Sequence, residues 1–146
     1  MNVLIVFDSK FGNTRKVAEA IGAGLSDSNV VRLRSADESI ETTGVDVLVV
    51  GGPTQAHGAS QTLKAALGQF SKGTLAGTRT ATFDTRFRLP RVLTGSAAGS
   101  AEAVLKRAGG IPASAPESFF VTRDDPPVLE PGELERAAAW GRTLVG

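Results

Sequence analysis

The chain has 146 residues, 41% of them hydrophobic and 21% charged, with a formal net charge of +1. That balance, without any Lys/Arg-rich run, lacks the electrostatic footprint of a nucleic-acid binder. The absence of cysteine excludes disulfides, a thiolate nucleophile and a cysteine-ligated metal. The first residues carry no basic segment, and their apolar run is too short for a signal peptide or a membrane span. The expectation is a soluble, cytoplasmic chain with no membrane or nucleic-acid partner, its length suited to one domain over residues 1–146.

Val3 to Phe7 is apolar without alternation, the pattern of a strand buried on both faces of a parallel sheet. Val17, Ile21 and Leu25 recur every four residues and predict a helix from about Asn13 to Ser26. Asn29 to Arg34 reads as a short edge strand, and the polar segment Ala36 to Thr43 as a possible short helix stopped at Gly44. Asp46 to Gly52 predicts a second buried strand. Ser60 to Phe70 then predicts a helix on Leu63, Leu67 and Phe70. A strand begins at Arg79 and ends near Asp84, before a loop over Arg86 to Pro90. Ser96 to Ala108 predicts a helix ended by Gly109-Gly110, with Lys106 and Arg107 in its last turn. Ser118 to Thr122 is the last strand, Asp124 to Glu130 a proline-containing loop read as solvated, and Pro131 the first turn of a final helix.

Strands alternating with helices imply an α/β fold with a doubly wound, five-stranded parallel sheet and helices on both faces. Ligands of such sheets bind beyond the carboxyl ends of the strands. Three segments then form the candidate site: Asp8–Asn13, Gly51–Ser60 and Asp84–Pro90. The first is the most informative. Ser9-Lys10-Phe11-Gly12-Asn13-Thr14 lies between a buried strand and a helix start, where free amides and the helix dipole favour an anion. Gly12 lets the backbone approach closely, and Ser9, Asn13 and Thr14 offer polar side chains.

This segment resembles the phosphate loop of flavodoxins, which follows their first strand with a hydroxyl-rich turn ending in Gly-Asn-Thr. Gly51-Gly52-Pro53-Thr54 resembles the flavodoxin pattern at the end of the third strand. The resemblance covers the whole chain in length and element order, and it implies strand order 2-1-3-4-5. It also implies flavin mononucleotide (FMN) as cofactor. Ser9, Lys10, Phe11, Gly12, Asn13 and Thr14 would surround its phosphate. Pro53, Thr54, Gln55, His57 and Gly58, with Asp84, Thr85, Arg86 and Phe87, would flank the ring. The implied role is electron transfer between protein redox partners, a reductase and an acceptor, with no metal and no chemistry beyond the flavin's own.

The sequence departs from the flavodoxin pattern in three ways. Phe11 replaces a hydroxyl of the phosphate loop. The chain has no Tyr, and its single Trp, Trp140, falls in the final helix, where core packing is the ordinary role. Stacking on the ring is left to His57, Phe87, Phe11 or the Arg86 plane. The formal charge is +1 where flavodoxins are acidic, with Arg86, Arg88 and Arg91 crowding the third segment, which predicts a raised flavin potential or an acidic docking partner. Asp84 has a second reading as a turn-capping carboxylate, and His57 one as a solvated loop residue. The alternatives to an electron carrier are a small flavin-dependent reductase of a quinone-like acceptor, a flavodoxin-fold binding protein without flavin, or one that takes a deazaflavin. A receiver domain is excluded because no carboxylate ends the third strand. The nucleotide-hydrolase motif G-x-x-x-x-G-K-[ST] is absent.

Overall fold

The computed structural model of the chain describes residues 1–55 and 58–146. Its strands are β1 (Asn2–Phe7), β2 (Val30–Ser35), β3 (Val47–Gln55), β4 (Gly58–Ala59), β5 (Arg79–Phe87), β6 (Ile111–Pro112) and β7 (Glu117–Val121). Its helices are α1 (Asn13–Leu25), α2 (Gln61–Leu67), α3 (Arg91–Thr94), α4 (Ala97–Arg107) and α5 (Glu133–Thr143). The sheet runs β2-β1-β3-β5 in parallel, and β5 is flanked along its outer edge by β6 and then β7. β6 pairs with Arg79 and Thr80, and β7 with Phe83 to Phe87. The expected fifth strand is therefore present in two pieces. With those pieces counted as one, and the small β4 hairpin set aside, the order is the expected 2-1-3-4-5.

Period-two alternation in the central strands builds two cores. Val3, Ile5, Val47, Val49, Ala81 and Phe83 face α1 and α5. Leu4, Val6, Leu48 and Val50 face α2 and α4. The first core holds a cluster of Phe83, Phe119 and Trp140 with ring centroids 6.0–6.3 Å apart in edge-to-face geometry. Trp140 is thus a core residue, and its Nε1 donates to Ser114 Oγ at 3.1 Å. Edge-to-face pairs of this kind contribute about 0.5–1.5 kcal/mol each beyond area burial.

Several elements differ from the sequence expectation. Ala36 to Thr43 forms no helix. Ile40 is the single apolar residue between Ala36 and Val45 that packs on the second core, too little for an amphipathic stripe. β3 runs on to Gln55 and folds back on β4, with Thr54 opposite Ala59 and Gln55 opposite Gly58. β5 runs on to Phe87 because Arg86 and Phe87 find partners in Phe120 and Val121 of β7. The second and third candidate segments thus begin as strand. The short helix α3 follows the expected Arg86–Pro90 loop, in a segment for which the sequence predicts no element.

The last strand is an exposed edge in principle, and the backbone of residues 128–130 closes it together with two side chains. Phe120 N donates to Glu133 Oε2 at 2.8 Å, Arg136 donates to Ser118 O, and Glu130 N reaches Phe120 O at 3.0 Å. Glu133 is 6% exposed. Burial alone raises its pKa, but the Arg136 guanidinium and the Phe120 amide outweigh that and hold the carboxyl below its ordinary value.

Candidate functional site

Ser9 Oγ accepts the amides of Gly12 at 3.1 Å and Arg15 at 3.4 Å, which folds Ser9 to Gly12 into a turn. Gly12 sits at φ +86°, a left-handed conformation that glycine adopts without strain. α1 then starts at Asn13, and Lys16 N bonds Gly12 O at 3.1 Å. Among the described residues, no bond takes the amides of Lys10, Phe11, Asn13 or Thr14. These are the orphan donors of a helix start, aligned with the positive end of its dipole.

The polar side chains of this turn are spent within the protein. Thr14 Oγ1 shares a hydrogen bond with Thr85 Oγ1 at 2.9 Å, and Asn13 Nδ2 donates to Pro127 O at 2.8 Å. The partners lie 71 and 114 residues away in sequence. The two bonds tie the α1 start to the fourth long strand and to the segment after β7.

The turn opens on a cavity of about 350 Å³ beyond the carboxyl ends of β1, β3 and β5. Lys10, Phe11, Asn13 and Thr14 form one wall. Pro53 and Thr54 come from β3, and Thr85, Arg86 and Phe87 from β5. The structure therefore gathers nine of the residues expected from sequence around one cavity. It adds Val121, at the end of the last strand, and Pro127, in the segment that the sequence reads as a solvated loop. An apolar Val-Leu pair following two prolines, at Val128 and Leu129, was the available signal that this segment packs. Leu129 indeed packs on the first core.

Other expected residues lie elsewhere. Ser9 and Gly12 line a separate cleft with Asp8 and Arg15 on the opposite side of the turn. Gln55 and Gly58 are paired backbone in the hairpin. His57 falls outside the described residues. Asp84 is fully buried, and its Oδ2 accepts from Thr54 Oγ1 (3.1 Å), Ser96 Oγ (2.8 Å) and Ala98 N (3.1 Å). It thus joins β3 and β5 to the start of α4. Because Arg86 and Phe87 extend the strand, Asp84 and Thr85 point to opposite faces. Thr85 reaches Thr14, whereas Asp84 reaches α4. The Gly51-Gly52 pair also has a packing cause. A Cβ on Gly51 would meet the Phe83 ring at 2.2 Å, and one on Gly52 would meet Leu63 at 2.9 Å.

The arginines of the third segment are largely matched. Arg86 Nε lies 3.9 Å from Asp84 Oδ1 and donates to Ser118 Oγ at 2.9 Å, while Nη1 donates to Leu89 O at 2.6 Å. Burial lowers the Arg86 pKa, and Asp84 opposes that shift. Arg88 pairs with Glu130 at 2.9 Å and lies over the Phe120 ring at 4.0 Å. Arg91 donates to Ser118 Oγ at 3.1 Å. At the cavity rim, Lys10 lies 5.3 Å from the Phe11 ring and Arg123 5.8 Å from the Phe87 ring. Phe11 is 53% exposed and Phe87 38%. Two aromatic edges therefore border the opening, each beside a cation.

Among the described residues, no group of His, Cys, Asp and Glu is placed to hold a metal ion. No helix is long and apolar enough to cross a membrane.

No family model matches the chain, and no curated protein matches it by sequence. Solved structures do match in shape. Flavodoxin 1 from Bacillus cereus aligns with TM-score 0.79 and 18% identity, over 99% of this chain and 97% of that one. A flavodoxin from Streptococcus pneumoniae TIGR4 aligns with TM-score 0.81 and 16% identity, over 99% and 97%. The rubredoxin oxygen:oxidoreductase of Desulfovibrio gigas aligns with TM-score 0.78 and 18% identity over 98% of this chain, which spans 35% of that larger protein. The chain has a flavodoxin-like fold.

Proposed function

We propose that the cavity holds FMN and that the protein carries electrons between protein redox partners. The observation that carries this reading is the set of unpartnered amides at Lys10, Phe11, Asn13 and Thr14 opening on a cavity at the strand ends of a flavodoxin-like sheet. The donor chemistry fits the cofactor. A helix start with free N–H groups suits a phosphate dianion. The cavity's volume lies within the range of about 300–1,000 Å³ common for small-molecule sites. Phe11, Pro53, Phe87, Val121 and Pro127 supply apolar surface for a planar ring.

When bound, FMN supplies one- and two-electron redox chemistry. The chain's own residues bind and orient. The four amides hold the phosphate, and the Thr14–Thr85 bond fixes the wall behind it. Asp84 keeps Thr54 and the start of α4 in place from the buried side. The pairs Arg86–Asp84 and Arg88–Glu130 offset two of the nearby arginines, whereas Lys10 and Arg123 keep the rim basic and favour an anionic ligand. The absence of Tyr and Trp from the cavity wall favours modest affinity.

Titration of the purified protein with FMN and with riboflavin, read by flavin fluorescence quenching, tests the reading. The expected result is saturable FMN binding at least tenfold tighter than riboflavin binding. Failure to bind either at high micromolar concentration rejects the carrier role and leaves a flavodoxin-fold binding protein. Sustained oxidation of a nicotinamide cofactor by the FMN-loaded protein alone would replace the carrier with a reductase.

A further inference from the structure

A second cavity, larger than the one at the strand ends, is a groove of about 830 Å³ between α2 and α4. Its floor is apolar: Leu67 and Ala108 are buried, and Phe70 and Val104 are half-buried and face the opening. Its sides carry three cations, Lys64, Lys72 and Arg107, and no carboxylate.

Nothing among the described residues neutralises these cations. No ion pair takes Lys64, Lys72 or Arg107. The one acid of α4, Glu102, is bound to Lys106 at 3.2 Å. Residues 59–78 contain no Asp or Glu. Lysine and arginine near helix C-termini ordinarily complement the helix dipole, and both helices end here. Two helix ends carry about half a negative charge each. Against the three cations, about two positive charges stay uncompensated.

The cations are not spread evenly. Lys72 and Arg107 lie at the end where α2 and α4 terminate. The opposite end is closed by Ala59 and Ser100 and carries no charge. From this arrangement we infer that the groove is a second ligand site for a small amphipathic anion, its carboxylate at Lys72 and Arg107 and its apolar chain on Leu67, Phe70 and Val104. The groove's volume falls in the range of about 300–1,000 Å³ common for small-molecule sites. The site is independent of the flavin reading, although the two cavities adjoin. Thr54 lines the strand-end cavity, and its hairpin partner Ala59 lines the groove.

The test uses decanoate below its micellar concentration, with decanol and acetate as controls, added to the isotope-labelled full chain and followed by amide NMR shifts. The expected result is saturable shifts confined to residues 59–72 and 100–108 with decanoate, absent with acetate and at least tenfold weaker with decanol. The exposed double variant Lys72→Glu/Arg107→Glu should weaken decanoate about tenfold or more, with an unchanged melting temperature showing that the fold is intact. Val104→Gln, on the floor, should weaken it as well. Equal binding of decanol overturns the anion assignment. Shifts scattered over the surface, or unchanged in both variants, overturn the site. Concentration-dependent broadening of these residues without decanoate would mean that a second copy fills the groove, which also overturns it. Because the readout needs no flavin, its failure is separable from failure of FMN binding.

Discussion

Gly51 shows how one residue can carry two explanations that only packing separates. Its place beside Pro53-Thr54 reads as part of a cofactor loop, yet the Phe83 ring occupies the space a Cβ would need, at 2.2 Å. Gly51→Ala should therefore cost about 3 kcal/mol or more in urea unfolding, at the upper end of overpacking effects. Gly12 is the opposite case. A Cβ there meets nothing within 4 Å, but φ is +86°. Gly12→Ala should cost about 1 kcal/mol, from backbone strain alone. Thr14 was read from sequence as a phosphate donor, whereas its hydroxyl is held by Thr85. Thr14→Ala should then lower FMN and riboflavin affinity alike, by about 1 kcal/mol. A loss confined to FMN in the quenching titration would return the hydroxyl to the phosphate.

At the scale of elements, close approach and edge protection decide the architecture. α1 and α5 meet through Gly24 and Gly141, where a Cβ would lie 2.2 Å from Ala138 O and 2.7 Å from Ile21 O. The β7 edge is closed in part by the buried Glu133 and by Arg136. The carboxyl's folded pKa lies below its unfolded value. Its contribution is complete above the unfolded value and is lost as pH falls through the lowered folded one. Denaturant midpoints measured from neutral pH down through the ordinary carboxylate range should show this loss, and Glu133→Gln should reduce it. The start of α4 rests on Asp84 in the same manner. Asp84→Ala strands the Thr54, Ser96 and Ala98 donors and leaves Arg86 without its buried counter-charge, at a cost of about 3–5 kcal/mol. A stable Asp84→Ala variant that loses only flavin binding would instead put Asp84 at the ring.

For the whole molecule, the two cavities meet at the β3–β4 pair, where Thr54 lines one and Ala59 the other. A ligand that binds the folded state alone stabilises it by mass action. FMN at a hundredfold excess over its Kd should add about 2.7 kcal/mol, a rise in Tm of roughly 5–10 °C for a chain of this length. Differential scanning of the protein with and without FMN measures it.

By itself, the sequence determined what depends on local pattern. Val3 to Phe7 and Val47 to Val50 are apolar enough that only burial between two helical layers suits them, and the spacing of Val17, Ile21 and Leu25 leaves α1 one way to pack. The turn from Ser9 to Thr14 was legible because a glycine, a capping hydroxyl and a helix start are neighbours in the chain. Tertiary structure decided whatever depended on partners far along the chain. Arg86 and Phe87 became strand because Phe120 and Val121 pair with them. Asn13 was turned from a ligand donor into a tie by a carbonyl 114 residues away. Asp84 was drawn to the buried face by side-chain alternation along an extended β5. The basic groove arose where two helices separated by thirty residues of sequence come together. Hydrogen bonds and charges act through space, so their sums appear only once the chain has folded.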